Sequence, residues 1–273
     1  MKYKLIAVDV DGTLLDSKKN LSEYSINIIR AAVAKGVVFC ISSGRPIYAT
    51  DKFTKLLGLD DMPFILYNGA VVVTGPEHKR VFEQGLSSED ALWLIKKGCE
   101  IGSTVIVWSA DKLYVNEFNE RTENYRILSM IDPVLIPSPE ELAAQGVTKM
   151  IWYDDLSRIP MLRETIDNSP ISEHINYFTS NPLFMELVDK KCSKALALEK
   201  LSASLGIKRE EIIAIGDGYN DLPMIEYAGL GIAMANAAEE IRNAADAVTL
   251  SNDEDGVAAA IIKYVLADLS KSD

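Results

Sequence analysis

Two aspartates stand in the segment Asp9-Val10-Asp11-Gly12-Thr13, directly after the apolar run Leu5-Ile6-Ala7-Val8. Carboxylates two positions apart at the end of a buried strand can supply oxygen ligands to a hard cation. One of them could also attack phosphorus while the other handles the proton of the leaving group. An Asp-Gly turn that only ends a strand would use the same residues. The choice between these depends on what partners the rest of the chain supplies.

Four other stretches carry candidate partners. Ser43-Gly44-Arg45-Pro46 offers a hydroxyl and backbone amides at a helix start, suited to a phosphate oxygen. Ser43 could equally be an N-cap, with Pro46 in the first turn. Asn68-Gly69 is a hairpin-turn signal first, with a ligand contact from Asn68 as its second reading. Lys194 follows Lys190 and Lys191 and reads as a solvated side chain, unless a phosphate dianion must sit beside several carboxylates. Gly216-Asp217-Gly218-Tyr219-Asn220-Asp221 packs glycines, acids and an amide between a strand and a helix. There Gly permits close backbone approach, and Asp217 can supply a further cation ligand and Asn220 a neutral donor. Asp221, shortly before Pro223, could instead cap the helix. His78 and His174 are the only histidines and lie far apart, which argues against a His-based triad or a zinc site. The chain has no G-x-S-x-G and no Gly-rich Lys-Ser/Thr loop.

The elements that must position these residues alternate. Residues 3–8 read as a strand buried on both faces, because the apolar run is continuous. A helix over 22–35 with Gly36 as its stop, a strand over 37–41, a helix from after Pro46 to about Leu57, and a strand over 64–67 follow. Residues 70–73 continue extended. That order predicts right-handed βαβ units, a parallel sheet and a ligand beyond the carboxyl ends of its strands. The polar clusters at 9–13, 42–45 and 68–69 each fall at such an end. Between 84 and 188 the alternation is lost, and helices mix with extended pieces, the last two at 174–179 and 183–188 with a turn at Asn181-Pro182. From Ser193 it returns, with a helix over 194–205, strands over 212–215 and 231–234, and a closing helix over 257–269. The expected organisation is a discontinuous core of residues 1–83 and 189–273, with an inserted α+β domain over 84–188.

Composition bounds the partners. Of the 273 residues 48% are hydrophobic, enough for a substantial core. Lys and Arg number 28 against 40 Asp and Glu, a formal charge of −12, which argues against nucleic acid or an anionic membrane as partner. An anionic small substrate stays open, since a bound cation or a local Lys can reverse the sign inside a pocket. Cys40, Cys99 and Cys192 fit neither a metal site nor a disulfide framework, and reduced thiols in a cytoplasmic protein are expected. No run approaches the roughly 18 apolar residues of a membrane span, and residues 1–25 hold no apolar segment after a basic start, so an unprocessed, soluble chain is expected.

Taken together, Asp-x-Asp-Gly-Thr at 9–13, Ser-Gly-Arg at 43–45, Lys194 and Gly-Asp-x-x-Asn-Asp at 216–221 resemble the haloacid-dehalogenase-like phosphohydrolases. The insert resembles the C2-type cap of the Cof-type branch, which includes bacterial sugar phosphatases. Ala195 and Ser43 stand where that branch often has Gly and Thr. The resemblance implies an α/β, Rossmann-like parallel-sheet core with an α+β cap that closes over the site. It implies Asp9 as nucleophile, Asp11 as acid and base, and Mg²⁺ held by the Asp9 carboxylate, the Asp11 carbonyl and the Asp217 carboxylate. It further implies phosphate contacts from Val10, Ser43, Gly44, Lys194 and Asn220, with Asp221 orienting Lys194 or a metal-bound water. The expected activity is hydrolysis of a small phosphorylated metabolite such as a sugar phosphate by a monomer or homodimer. A non-catalytic phospholigand sensor and a phosphosugar mutase are the alternatives.

Overall fold

The computed structural model describes residues 2–49, 51–178 and 181–267, the Asp51 side chain excepted. In chain order the first part contains strand β1 (Leu5–Val8), helix α1 (Glu23–Ala34), β2 (Val38–Ser42), α2 (Asp51–Leu57), β3 (Phe64–Leu66), β4 (Val71–Thr74) and β5 (Lys79–Glu83). The middle contains α3 (Ser88–Glu100), β6 (Thr104–Ser109), β7 (Lys112–Val115), α4 (Glu120–Ser129), β8 (Val134–Leu135), α5 (Pro139–Gln145), β9 (Lys149–Tyr153), α6 (Ile159–Asp167), β10 (Ile175–Phe178) and β11 (Phe184–Asp189). The last part contains α7 (Lys194–Ser204), β12 (Ile212–Gly216), α8 (Leu222–Tyr227), β13 (Leu230–Ala233), α9 (Glu239–Ala244), β14 (Ala247–Val248) and α10 (Gly256–Ile261), which runs into a π-turn over Ile262–Leu266. Two compact units result: one formed by residues up to Phe82 with those from Ser193 onward, and one formed by Glu83–Cys192. The second unit runs on past residue 188 because the turn after β11 stays tied to it. The Cys192 amide donates to the Asp189 carbonyl at 2.9 Å, and the Cys192 thiol to the Gln84 carbonyl at 3.3 Å.

The first unit is an α/β fold around one sheet, ordered β14-β13-β12-β1-β2-β3-β4-β5. Strand β1 lies between β12 and β2, parallel to both, with Leu5 opposite Ile212 on one side and Val38 on the other. A strand hydrogen-bonded on both edges and covered on both faces has no solvated side, and all four of its residues are fully buried. Leu198 and Leu201 of α7 pack with Leu5, Ala7, Cys40, Ile65 and Ala214 on one face. Helix α1 is capped by the Ser22 hydroxyl, which accepts from the Ser25 amide.

Three expectations differ from the structure. The helix predicted from Pro46 to Leu57 is a 3₁₀ turn at Ile47–Ala49 followed by α2; Thr50, between them, lies outside the described residues. The sheet is mixed rather than parallel throughout. At Tyr67–Gly69 the chain reverses, so β4 pairs antiparallel with β3, and β5, absent from the sequence reading, extends that edge. The closing helix ends its α-helical part at Ile261, and positions 268–269 of its predicted span lie outside the described residues, as does position 179 of the predicted extended piece 174–179.

The second unit has its own sheet, ordered β10-β11-β9-β6-β7-β8, antiparallel except between β7 and β8. Alternate residues Val105, Val107, Met150, Trp152, Met185 and Leu187 meet Leu94 and Ile95 of α3, Leu142 of α5 and Leu162 of α6. Lys149 and Glu186, both buried, form an ion pair of 2.9 Å. Among the described residues no helix is long and apolar enough to cross a membrane.

The reversal at Gly69 is sterically exacting. Its φ is +99°, and a Cβ there would lie 2.2 Å from the Ser193 carbonyl oxygen, just ahead of α7. Gly69→Ala therefore combines an unfavourable φ with a backbone clash, and costs about 2 kcal/mol or more of unfolding free energy in urea titrations.

Candidate active site

The site is built at the carboxyl ends of β1, β2 and β12, all in the first unit. Asp9 is the first residue after β1, held by its amide to the Ile215 carbonyl at 3.0 Å. The chain then turns sharply: the amides of Leu14 and Leu15 donate back to the carbonyls of Asp9 and Val10 at 3.2 and 2.9 Å. Helix α7 begins at Lys194, after the Ser193 hydroxyl that caps it, and the lysine side chain is fully buried. A buried ammonium is tolerable only when its donors are satisfied. Here all three are: Nζ lies 2.6 Å from Asp9 Oδ1, 2.5 Å from Asp221 Oδ1 and 3.1 Å from the Ser42 carbonyl oxygen.

Asp221 is in turn fixed from the other side. Its Oδ2 accepts from the amides of Asp217 and Gly218 at 3.1 and 2.9 Å. It makes no side-chain cap to α8, so the capping reading does not hold. Asp217 accepts at Oδ1 from the Thr13 hydroxyl at 2.7 Å. Gly12, φ +89°, leaves the space this needs, since a Cβ there would fall 2.3 Å from Asp217 Oδ2. Each of Asp9, Asp217 and Asp221 offers a carboxylate oxygen within 4.8 Å of the others. An all-oxygen donor set suits a hard divalent cation, and one lysine leaves three carboxylates under-neutralised.

A second group lies along β2 and the β3–β4 turn. The Ser43 hydroxyl accepts from the Arg45 amide at 3.2 Å, and the Ser43 carbonyl accepts from the Asn68 amide at 3.1 Å. Asn68 is buried at φ +58°, and its Oδ1 accepts from Asn220 Nδ2 at 3.1 Å. A Cβ on Gly44 would meet that same oxygen at 2.9 Å. Ser43, Gly44 and Asn220 thus converge through Asn68. Val10 is fully buried directly after Asp9.

Asp11 is the residue placed apart. Its side chain is 41% exposed and pairs with Arg45, Nε to Oδ2 at 2.8 Å and Nη2 to Oδ1 at 2.6 Å, and with Lys19 Nζ at 3.0 Å. Three residues that bear on the site, Thr13, Arg45 and Lys19, were given no role of their own from the sequence. Thr13 and Arg45 sat inside the quoted motifs, and Asn68 was read as a turn first. Lys19 carries no signal at all. For Asn68 a signal existed, because Asn-Gly at a strand end favours the left-handed conformation.

Electrostatics separate the acids. Burial, and then the Asp221 charge, push the Asp9 carboxyl up to about 7 against the pull of Lys194. Burial also raises Asp217, opposed by the Thr13 hydroxyl. For Lys194 burial favours loss of the proton, but the charges of Asp221 and Asp9 outweigh it and hold the ammonium above its ordinary value. For Asp11 burial is outweighed by the hydrogen bonds and charge of Arg45 and Lys19, which keep the carboxyl below the ordinary range.

The raised Asp9 has a stability consequence. A carboxyl that binds its proton more tightly folded than unfolded stabilises the fold below its unfolded pKa, and that contribution is lost as pH rises through the folded value. In EDTA, the Tm of the wild type relative to Asp9→Asn falls from about pH 4 to about pH 7 and is level above, as followed by calorimetry.

Comparison with known proteins gives the family of the chain. The family model for haloacid dehalogenase-like hydrolases matches residues 6–261. Bacillus subtilis YxeH, a protein named as a phosphatase, is 33% identical over 270 residues, spanning 97% of this chain and 99% of its own. A haloacid dehalogenase-like hydrolase from Bacteroides thetaiotaomicron superposes with a TM-score of 0.85 at 32% identity, covering 96% of this chain and 99% of that one. The subclass IIB sugar phosphatase BT4131 superposes with a TM-score of 0.78 at 25% identity, covering 96% and 98%.

Proposed function

Since the chain belongs to the haloacid dehalogenase-like hydrolase family, we propose that it is a Mg²⁺-dependent phosphomonoesterase acting on small phosphorylated metabolites, sugar phosphates among them. The observation that carries this reading is the buried Lys194 ammonium, bonded to Asp9 and Asp221, with Asp217 completing a carboxylate cluster. A phosphate dianion approaching three carboxylates is repelled unless cations are present to neutralise it. The sugar-phosphatase description of BT4131 supports the substrate class.

In the proposed reaction an Asp9 oxygen forms a bond to phosphorus as the ester P–O bond breaks. Once Asp11 has taken up a proton from solvent, the departing alkoxide takes that proton from it, leaving an acyl phosphate on Asp9. Asp11, now ionised, takes a proton from water as that water attacks phosphorus, releasing phosphate and restoring Asp9. Lys194 holds Asp9 oriented and offsets the charge of the transferring group. Ser43, the amides of Val10 and Gly44, and Asn220 are the neutral donors assigned to the phosphoryl oxygens. Asp9, the Asp11 carbonyl and Asp217 are the assigned Mg²⁺ ligands, with the Asp221 carboxylate close enough to join or to orient them. Bound there, the ion would neutralise charge that builds on the transferring phosphoryl group.

A panel of sugar phosphates and other phosphate esters, assayed for phosphate release with Mg²⁺ and with EDTA, tests the reading. Release is expected only with Mg²⁺, and Asp9→Asn lowers it by about a thousandfold or more. Tight binding without any release would favour a phospholigand sensor instead. Titration calorimetry checks the ion site separately: Asp217→Asn weakens Mg²⁺ binding by roughly tenfold or more, because one anionic oxygen ligand is lost.

A further inference from the structure

Asp11 follows Asp9 by two residues, yet its carboxylate is gripped elsewhere. The Arg45 guanidinium meets it as a fork, one nitrogen to each oxygen at 2.8 and 2.6 Å, and Lys19 adds a third donor at 3.0 Å. A paired fork fixes the plane and both oxygens of a carboxylate. Held so, Asp11 keeps both oxygens on cationic donors and cannot turn toward a leaving group until the fork opens.

Arg45 stands next to the segment assigned to phosphate. It follows Gly44 directly, and its own amide is anchored by the Ser43 hydroxyl at 3.2 Å. A guanidinium fork suits phosphoryl oxygens as well as it suits a carboxylate, and a phosphoryl dianion carries more charge. The Arg45 side chain is 26% exposed and that of Asp11 41%, so neither is locked in by burial. The fork that holds Asp11 thus belongs to the residue directly after Gly44, where a bound phosphoryl group would compete for it.

We propose that Arg45 is a positioning residue that restrains Asp11 in the free protein and releases it when an arriving phosphoryl group takes the guanidinium. The acid and base then come into play only when the site is filled. This inference rests on the phosphohydrolase reading.

A double-mutant cycle on the full chain, with Mg²⁺ present and inorganic phosphate as the probe, tests it by calorimetry. If Asp11 and phosphate compete for Arg45, Asp11→Asn tightens phosphate by roughly threefold to fivefold, the upper end of the scale for a partly exposed pair. In an Arg45→Ala background the same substitution changes phosphate affinity by less than about twofold. Arg45→Lys, which keeps the charge without the fork, restores part of the coupling. Removing the Asp11 charge would tighten any nearby anion whatever Arg45 does, so an equal gain in both backgrounds overturns the proposal. A loss of affinity on Asp11→Asn overturns it as well. If phosphate binds none of the four proteins, the hydrolase reading falls first and this inference with it.

Discussion

The fully buried Lys194 ammonium is the interaction on which the rest of the site depends. Its three acceptors come from the ends of three different strand segments: Asp9 after β1, the Ser42 carbonyl at the end of β2, and Asp221 after β12. A charge that deep is stable only with its partners in place, and each partner is equally exposed to loss if the lysine moves. The ammonium therefore acts as the common fastener of the sheet's carboxyl edge. It also explains why α7 must begin where it does. Shifting the first turn of that helix would carry Nζ away from all three acceptors, and the approach of Gly69 to the Ser193 carbonyl pins that start from the other side.

Around this fastener the acids divide by surroundings. Asp9 and Asp217 are kept above their ordinary range by burial and mutual repulsion, and Asp11 is kept below it by the Arg45 fork and Lys19. Three crowded carboxylates with a single lysine form a site that is electrostatically short of cations, which is the condition a divalent ion and a phosphoryl group would meet together. Asp11 lies outside that crowd. In the proposed reaction its proton traffic is needed only once the leaving group is present, and its separate placement in the free protein is consistent with that timing.

The α/β fold was legible because its signals are local. Leu5–Val8 is apolar at every position, and only a strand buried on both faces accommodates that, so β1 is the central strand. The parallel run from β1 through β3 followed from the alternation of strand and helix. The antiparallel β4–β5 edge was not legible. Its cause is the reversal at Tyr67–Gly69, where three consecutive residues have positive φ, and Asn68-Gly69 signals a turn without saying which sheet the chain rejoins. The break at Ile47–Ala49 likewise gave no warning, because Pro46 reads as well at the start of an α-helix as before a 3₁₀ turn.

By itself the sequence determined which chemical groups are present and that each cluster ends a strand, because apolar patterning and turn residues are short-range properties. The resemblance to a known family rested on those same residues. Only the tertiary structure decided which group meets which. Lys194 reaches Asp9 across 185 positions and Thr13 reaches Asp217 across 204, distances over which residue spacing carries no geometric information. Asp9 and Asp11 make the same point at close range. Two positions apart on a strand they would share a side, but β1 ends at Val8 and the chain turns at Gly12, so the two carboxylates that open the sequence argument lie in different surroundings. Their separation is a property of the turn and of Arg45, and neither could be weighed until the fold had brought them together.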